Sequence, residues 1–279
     1  MIKNILFGAD GSAHGHIARD YAMDLALRLD AQLAAVHVVD SRMLDVPLIA
    51  PQSGVLAWNP RVFDGLQETL RARGEEILTE SRERAKEAGI SLTTFLEFGP
   101  PAQVLLDIQA KTELLVLGRQ GNYTGSSPEF TGSTMGRVIR RASRPCLITP
   151  DRFEPVSRIM VSTDGSPTAT RALHEAVELA NGLKTPLIIL AVAERGDELD
   201  QAQKNAVEAH SLARAHECAA ATLTAVGPPG PLLLEKAAET GCDLIALGSH
   251  GHGWIVSRLM GSVAAHVICR ATIPVLLVH

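Results

Sequence analysis

The sequence predicts an α/β protein of two tandem units, each a parallel sheet flanked by helices. Three observations carry that prediction. Short apolar runs alternate with helically spaced segments along the whole chain, the order expected of right-handed strand–helix crossovers. The segments repeat: Ile5-Leu-Phe-Gly-Ala-Asp10-Gly11-Ser12 returns as Ile159-Met-Val-Ser-Thr-Asp164-Gly165-Ser166, and Gly99-Pro-Pro101 returns as Gly227-Pro-Pro229. A glycine signature also occurs twice. Gly118-Arg-Gln-Gly121 is followed by ten residues and Gly132-Ser133-Thr134; Gly248-Ser-His-Gly251 is followed by nine residues and Gly261-Ser262-Val263. So long a repeat marks duplicated domains rather than a solenoid. The expected domains are 1–150 and 151–279, with Pro150-Asp-Arg-Phe-Glu-Pro155 as the proline-bounded linker.

Each element follows from its pattern. Asn4–Gly8 is a continuous apolar run, suited to a strand buried on both faces. His14–Leu29 reads as a helix, with Ile17, Tyr21, Leu25 and Leu29 at helical spacing. Leu33–Val39 is a second strand, and Arg61–Ala88 a long charged helix stopping near Gly89. Leu92–Glu97, the helix Ala102–Lys111, Leu114–Gly118, the helix Ser133–Ala142 and Cys146–Thr149 complete the unit, and the order repeats from Arg158 to His279. The first copy carries an extra stretch, Ser41–Leu66, with Pro47, Pro51, Trp58 and Pro60. It is apolar enough either to cover the first crevice as a lid or to pack on the other copy.

Composition bounds the function. Of 279 residues, 46% are hydrophobic and 20% charged, which describes a packed, soluble protein. A formal charge of -5 argues against nucleic acid as a partner. There is no apolar run of about 18 residues and hence no expected membrane span. The first residues enter a strand pattern without a signal-peptide cleavage site, so a cytoplasmic location is expected. Cys146, Cys218, Cys242 and Cys269 are scattered without a C-x-x-C pair and read as buried thiols of a reducing compartment.

The chemistry belongs to the strand ends. In open parallel sheets ligands bind beyond the carboxyl ends of strands, where strand order reverses. Asp10 and Asp164 follow the first strand of each copy; Gly118 and Gly248 follow the fourth. If those strands are neighbours, carboxylate and glycine loop share one crevice. The carboxylate can accept from a ribose hydroxyl or an adenine amine, or help hold a phosphate-bound Mg²⁺. The glycines let backbone amides approach phosphates, and the following helix presents its N-terminal amides and positive dipole end. A branched side chain in Gly261→Val is expected to occupy the phosphate's space.

Asp-Gly-Ser after strand one, with Gly-x2-Gly-x9-Gly-[Ser/Thr] leading into the last helix, resembles the universal stress protein family through both halves. The resemblance implies a Rossmann-like sheet of five parallel strands in the order 3-2-1-4-5, akin to the adenine nucleotide alpha hydrolases, and ATP as ligand. It maps Asp164, Gly165, Gly248, Gly251, Gly261, Ser262 and Val263 onto ATP contacts, with Val192 of strand two offering its backbone to adenine. In the first half it maps Asp10, Gly11, Gly118, Gly121, Gly132, Ser133 and Thr134, with Val36 or His37 on strand two. In the family the last strands pair between subunits. Here the two copies can pair within the chain as a pseudo-dimer, with homodimerisation a further expectation.

Competing readings attach to the same residues. Asp10 and Asp164 could cap the following helix. His250 and His252 suggest zinc, but two loop histidines without a nearby cysteine are too few ligands. Arg258 could meet a phosphate or solvent, and Arg137, Arg140 and Arg141 read as a basic surface stripe. No Gly-x4-Gly-Lys-[Ser/Thr] loop and no fixed base is evident, so the pattern favours nucleotide occupancy, a sensor or regulator with at most slow hydrolysis. Two alternatives are a nucleotidyl-transferase-like enzyme, which Ala13-His14-Gly15-His16 fits poorly, and an interaction module with vestigial loops.

Overall fold

The five apolar runs of each half become parallel strands, and the two sets join into one ten-stranded sheet. The computed structural model describes residues 2–43, 60–121, 134–251 and 260–279. In chain order the first half comprises β1 (Asn4–Gly8), α1 (Ala13–Leu29), β2 (Gln32–Asp40), α2 (Pro60–Glu87), β3 (Leu92–Gly99), α3 (Pro101–Ile108), β4 (Leu114–Gly118), α4 (Thr134–Ile139) and β5 (Cys146–Thr149). The second comprises β6 (Ile159–Thr163), α5 (Pro167–Leu183), β7 (Leu187–Ala193), α6 (Leu199–Ala215), β8 (Ala220–Val226), α7 (Pro229–Thr240), β9 (Leu244–Gly248), α8 (Ser262–Arg270) and β10 (Val275–Val278).

The strand order is β3-β2-β1-β4-β5-β10-β9-β6-β7-β8, which is 3-2-1-4-5 in each half. β1 pairs in parallel with both β2 and β4, and β6 with both β7 and β9. Strand order therefore reverses beside β1 and β6, which opens a crevice at their carboxyl ends. The central strands are apolar and buried on both faces, as covered parallel strands must be. The outermost strands, β3 and β8, alternate half-buried and exposed residues.

Helices cover both faces. On one, Tyr21 and Leu25 of α1, Leu173 and Val177 of α5 and Ala213 of α6 pack on strand residues that include Phe7 and Val161. On the other, Leu105, Ile139, Leu233 and Val267 pack with Leu6, Leu115 and Leu277. Each layer is continuous through both halves because β5 and β10 pair antiparallel, Leu147 opposite Leu276 and Cys146 opposite Leu277. Cys146, Leu147, Ile148, Val275, Leu276 and Leu277 are all buried at this seam. Burying a large aliphatic side chain contributes about 1.5–3 kcal/mol, and the pairing removes two free strand edges. The expected pairing within one chain is present. The linker is pinned to α1: Arg28 donates to the carbonyls of Val156 (2.7 Å) and Leu183 (3.3 Å), and Tyr21 lies edge-on to Phe153 at 4.9 Å.

Some details differ from the sequence reading. The expected helix Ala102–Lys111 ends at Ile108 and tightens into a 3-10 turn at Gln109–Lys111. Of the extra stretch, Ser41–Met43 is a 3-10 turn and residues 60–66 open α2, which runs 28 residues against 17 for α6; residues 44–59, with the proposed lid, lie outside the described residues. Cys146, Cys218 and Cys242 are buried, but Cys269 is exposed, since Ala264, Val267 and Ile268 take the inward face of α8. Among the described residues no helix is long and apolar enough to cross a membrane.

Candidate functional site

Each candidate aspartate follows a central strand and sits just before the turn into a helix. Gly11 (φ 71°) and Gly165 (φ 81°) take the left-handed conformation this turn demands. The cap of the helix is the serine. Ser12 Oγ accepts the Gly15 N–H (2.9 Å), and Ser166 Oγ accepts the Ala169 N–H (3.2 Å). The reading of Asp10 and Asp164 as caps is therefore corrected. One carboxylate oxygen, Oδ1, is held by the turn: in Asp10 by the Ser12 N–H (2.9 Å) and hydroxyl (2.6 Å), in Asp164 by the Ser166 N–H (2.9 Å). The other oxygen, Oδ2, is turned to the glycine loop.

The two strand ends meet there. A Cβ built on Gly121 would stand 2.7 Å from Oδ2 of Asp10, and one on Gly251 would stand 2.7 Å from Oδ2 of Asp164. A side chain there would have to push aside a carboxylate whose Oδ1 is tied to its own turn, so close approach rather than turn geometry favours glycine at both positions. Gly118 and Gly248 lie equally close to the first turns of α1 and α5, against His14 and Thr168.

In the second half the next helix completes the arrangement. Gly261 precedes α8, its N–H donates to the Ser249 carbonyl (2.8 Å), and a Cβ there would lie 3.2 Å from that oxygen. Among the described residues no side chain caps the start of α8. Ser262 is exposed at its first position, while Val263 packs into the core. An uncapped helix N-terminus, a glycine loop and a carboxylate thus converge, so amide donors for an anion stand beside an acceptor for hydroxyl or amine groups. In the first half Asp10, Gly118 and Gly121 come together and Thr134 opens α4. Gly132 and Ser133 lie outside the described residues, as do His252, Trp254 and Arg258.

The two strand-two assignments do not lie at equivalent levels. Gly8 pairs with Val36, and its counterpart Ser162 pairs with Leu190. Val192 is therefore level with Val38, two residues nearer the crevice than Val36. Val36 is buried, and its carbonyl accepts the Ala9 N–H at 2.8 Å. The matching strand ends, Val38-Val-Asp40 and Val192-Ala-Glu194, carried the equivalence of Val38 and Val192 in the sequence. His37 lies beside this turn, its Nδ1 donating to the Ala9 carbonyl at 2.7 Å; burial lowers its pKa and favours the neutral ring.

Asn205, Thr168 and His279 at the second site escaped sequence reasoning. Asn205 of α6 donates from Nδ2 to the Asp164 carbonyl at 2.8 Å; its counterpart Ile77 packs on Gly11 instead. Within the loop, Ser249 Oγ and His250 Nδ1 are 2.9 Å apart, and Thr168 Oγ1 donates to the His250 carbonyl. The pKa of His279 is pushed down to about 4 by burial, then by His250 and Arg171, and its buried Nε2 has no partner among the described residues. Only tertiary contact brings α6 and β10 to this loop.

The model of the universal stress protein family matches residues 1–150 and 155–279. A universal stress protein of Synechocystis sp. is 25% identical over 285 residues, covering 99% of this chain and 99% of its own length. Among solved structures, a universal stress protein from Archaeoglobus fulgidus superposes with a TM-score of 0.73 at 20% identity, over 99% of this chain and 95% of that one. A shorter universal stress protein solved in complex with cAMP is 33% identical, covering 44% of this chain and 97% of its own, with a TM-score of 0.39.

Proposed function

Since the chain belongs to the universal stress protein family, we propose that it binds an adenine nucleotide, ATP, and acts in the stress response through occupancy of that site. The observation that carries this reading is the second-half convergence: Gly251 against Oδ2 of Asp164, and Gly261 bonded to Ser249 at the uncapped start of α8. The amides of the Gly248–Gly251 loop and of α8 suit the phosphates. Asp164 suits a ribose hydroxyl or a phosphate-bound Mg²⁺, with Val192 beside the base. Asp10, Gly118 and Gly121 support a second site in the first half, with Val38 as the strand-two residue.

The loops hold no P-loop lysine, so slow hydrolysis at most is expected, and the bound state is the output. The units proposed are 1–150 and 151–279, in a cytoplasmic protein whose sheet seam already forms the intramolecular pseudo-dimer. Calorimetric titration of the full chain with Mg-ATP tests the reading. Binding is expected, with Asp164→Ala weakening the second site about tenfold or more, the cost of a charged hydrogen bond. A stoichiometry of zero overturns it.

A further inference from the structure

The two crevices face opposite ends of the sheet, because β5 and β10 run antiparallel. α8 runs between those ends. It starts at Gly261, in the second crevice, and its nine residues carry it about 13 Å, at roughly 1.5 Å per residue. Its C-cap is Ala271. Arg119, the second residue of the first glycine loop, reaches across the seam, and its Nη2 donates to the Ala271 carbonyl. A cation there complements the negative end of the helix.

From this we propose that Arg119 couples the two nucleotide sites, as a strap from the first glycine loop to the far end of the helix that heads the second. The inference rests on the nucleotide reading above. The strap runs one way: the counterpart of Arg119 is Ser249, whose hydroxyl is engaged with His250 inside its own loop. Arg119 also has a donor to spare, since its Nε is buried without a partner among the described residues. Two arrangements follow. With the first crevice empty, Arg119 holds the end of α8. With phosphates in the Gly118–Gly121 loop, the guanidinium gains an anionic, bidentate partner in place of a neutral carbonyl. It then leaves Ala271. α8 loses its C-terminal cation and the second site weakens. Because coupling free energy is reciprocal, ATP at the second site disfavours ATP at the first to the same degree.

The test is Mg-ATP calorimetry on the full chain, with the second site identified as the one lost in Gly251→Val. The first site is emptied by Gly121→Val, or by Asp10→Ala should the valine variant not fold. Emptying it should tighten the second site about fivefold or more, within the usual range of allosteric coupling. In an Arg119→Ser background the same change should move the second site less than about twofold, and Arg119→Lys should restore part of the gap. An equal gap with and without Arg119, or no gap in the wild-type chain, overturns the strap. A wild-type chain that binds one nucleotide at saturation overturns the strap but not the nucleotide reading. Absence of binding in every variant overturns both.

Discussion

Asp164 and Gly251 show how a contact between two short motifs defines a site. The carboxylate is fixed through Oδ1 by its own turn, which leaves Oδ2 against a loop that arrives from another strand. Gly251→Val should therefore force the loop off the carboxylate and weaken ATP at the second site at least tenfold, about 1.4 kcal/mol, by calorimetry. Gly261→Val should have a comparable effect, by a different cause from the one its sequence suggests. The Ser249 carbonyl, at 3.2 Å, is what the new side chain meets first. Gly261→Ala, with one methyl to place, should cost only a few-fold, and equal losses for alanine and valine would refute that cause. His279 sets a pH dependence. Its folded pKa, lowered to about 4 by burial and nearby His250 and Arg171, lies below the unfolded value near 6.5. Between those values the unfolded chain binds the extra proton, so stability falls as pH drops from 6.5 toward 4 and is unchanged above 6.5. His279→Gln should flatten the fall in unfolding free energy, read by urea titration, by about 1–2 kcal/mol across that window. An unchanged profile would show that the imidazole is solvated in the native state.

At the level of elements, β1, β4 and β5 have the bounds their apolar runs suggest, because a strand buried on both faces has little sequence freedom. Edges of helices were less legible. α3 ends early, where its last turn tightens, whereas α2 (Pro60–Glu87) lies within one residue of the expected Arg61–Ala88 at each end. The strand-two residues of the two halves, Val36 and Val192, differ in level by two because apolar periodicity repeats every second position, so Val36 and Val38 share a face; only pairing with β1 and β6 fixes the level. Strand position also predicts energetics. Leu276→Ala at the seam should cost about 2–5 kcal/mol in chemical denaturation, since β10 is covered on both faces and paired on both edges. Phe95→Ala on the outer strand β3, where the residue is 40% exposed, should cost less than about 1 kcal/mol. Similar losses at the two positions would mean that the seam does not hold the halves together.

Over the whole molecule, both hydrophobic layers run through the β5–β10 seam without a break. Heating should therefore give one cooperative transition, with calorimetric and van't Hoff enthalpies equal. Two resolved transitions would show that each half folds alone and that the seam is a contact between finished domains. Mg-ATP at about 100 times its Kd should add about 2.7 kcal/mol to that single transition. The sequence by itself determined what depends on neighbours along the chain: the alternation of strands and helices, the duplication, the Asp-Gly-Ser turns and the spacing of the glycine signature. The tertiary structure alone decided what depends on partners far apart in sequence. These are the closing of Gly251 on Asp164, the antiparallel seam that turns the two crevices to opposite ends, and the reach of Arg119 to Ala271, 152 residues away. Local patterns encode conformation and burial, whereas the meeting of two distant loops is specified only when every intervening strand has taken its place and register.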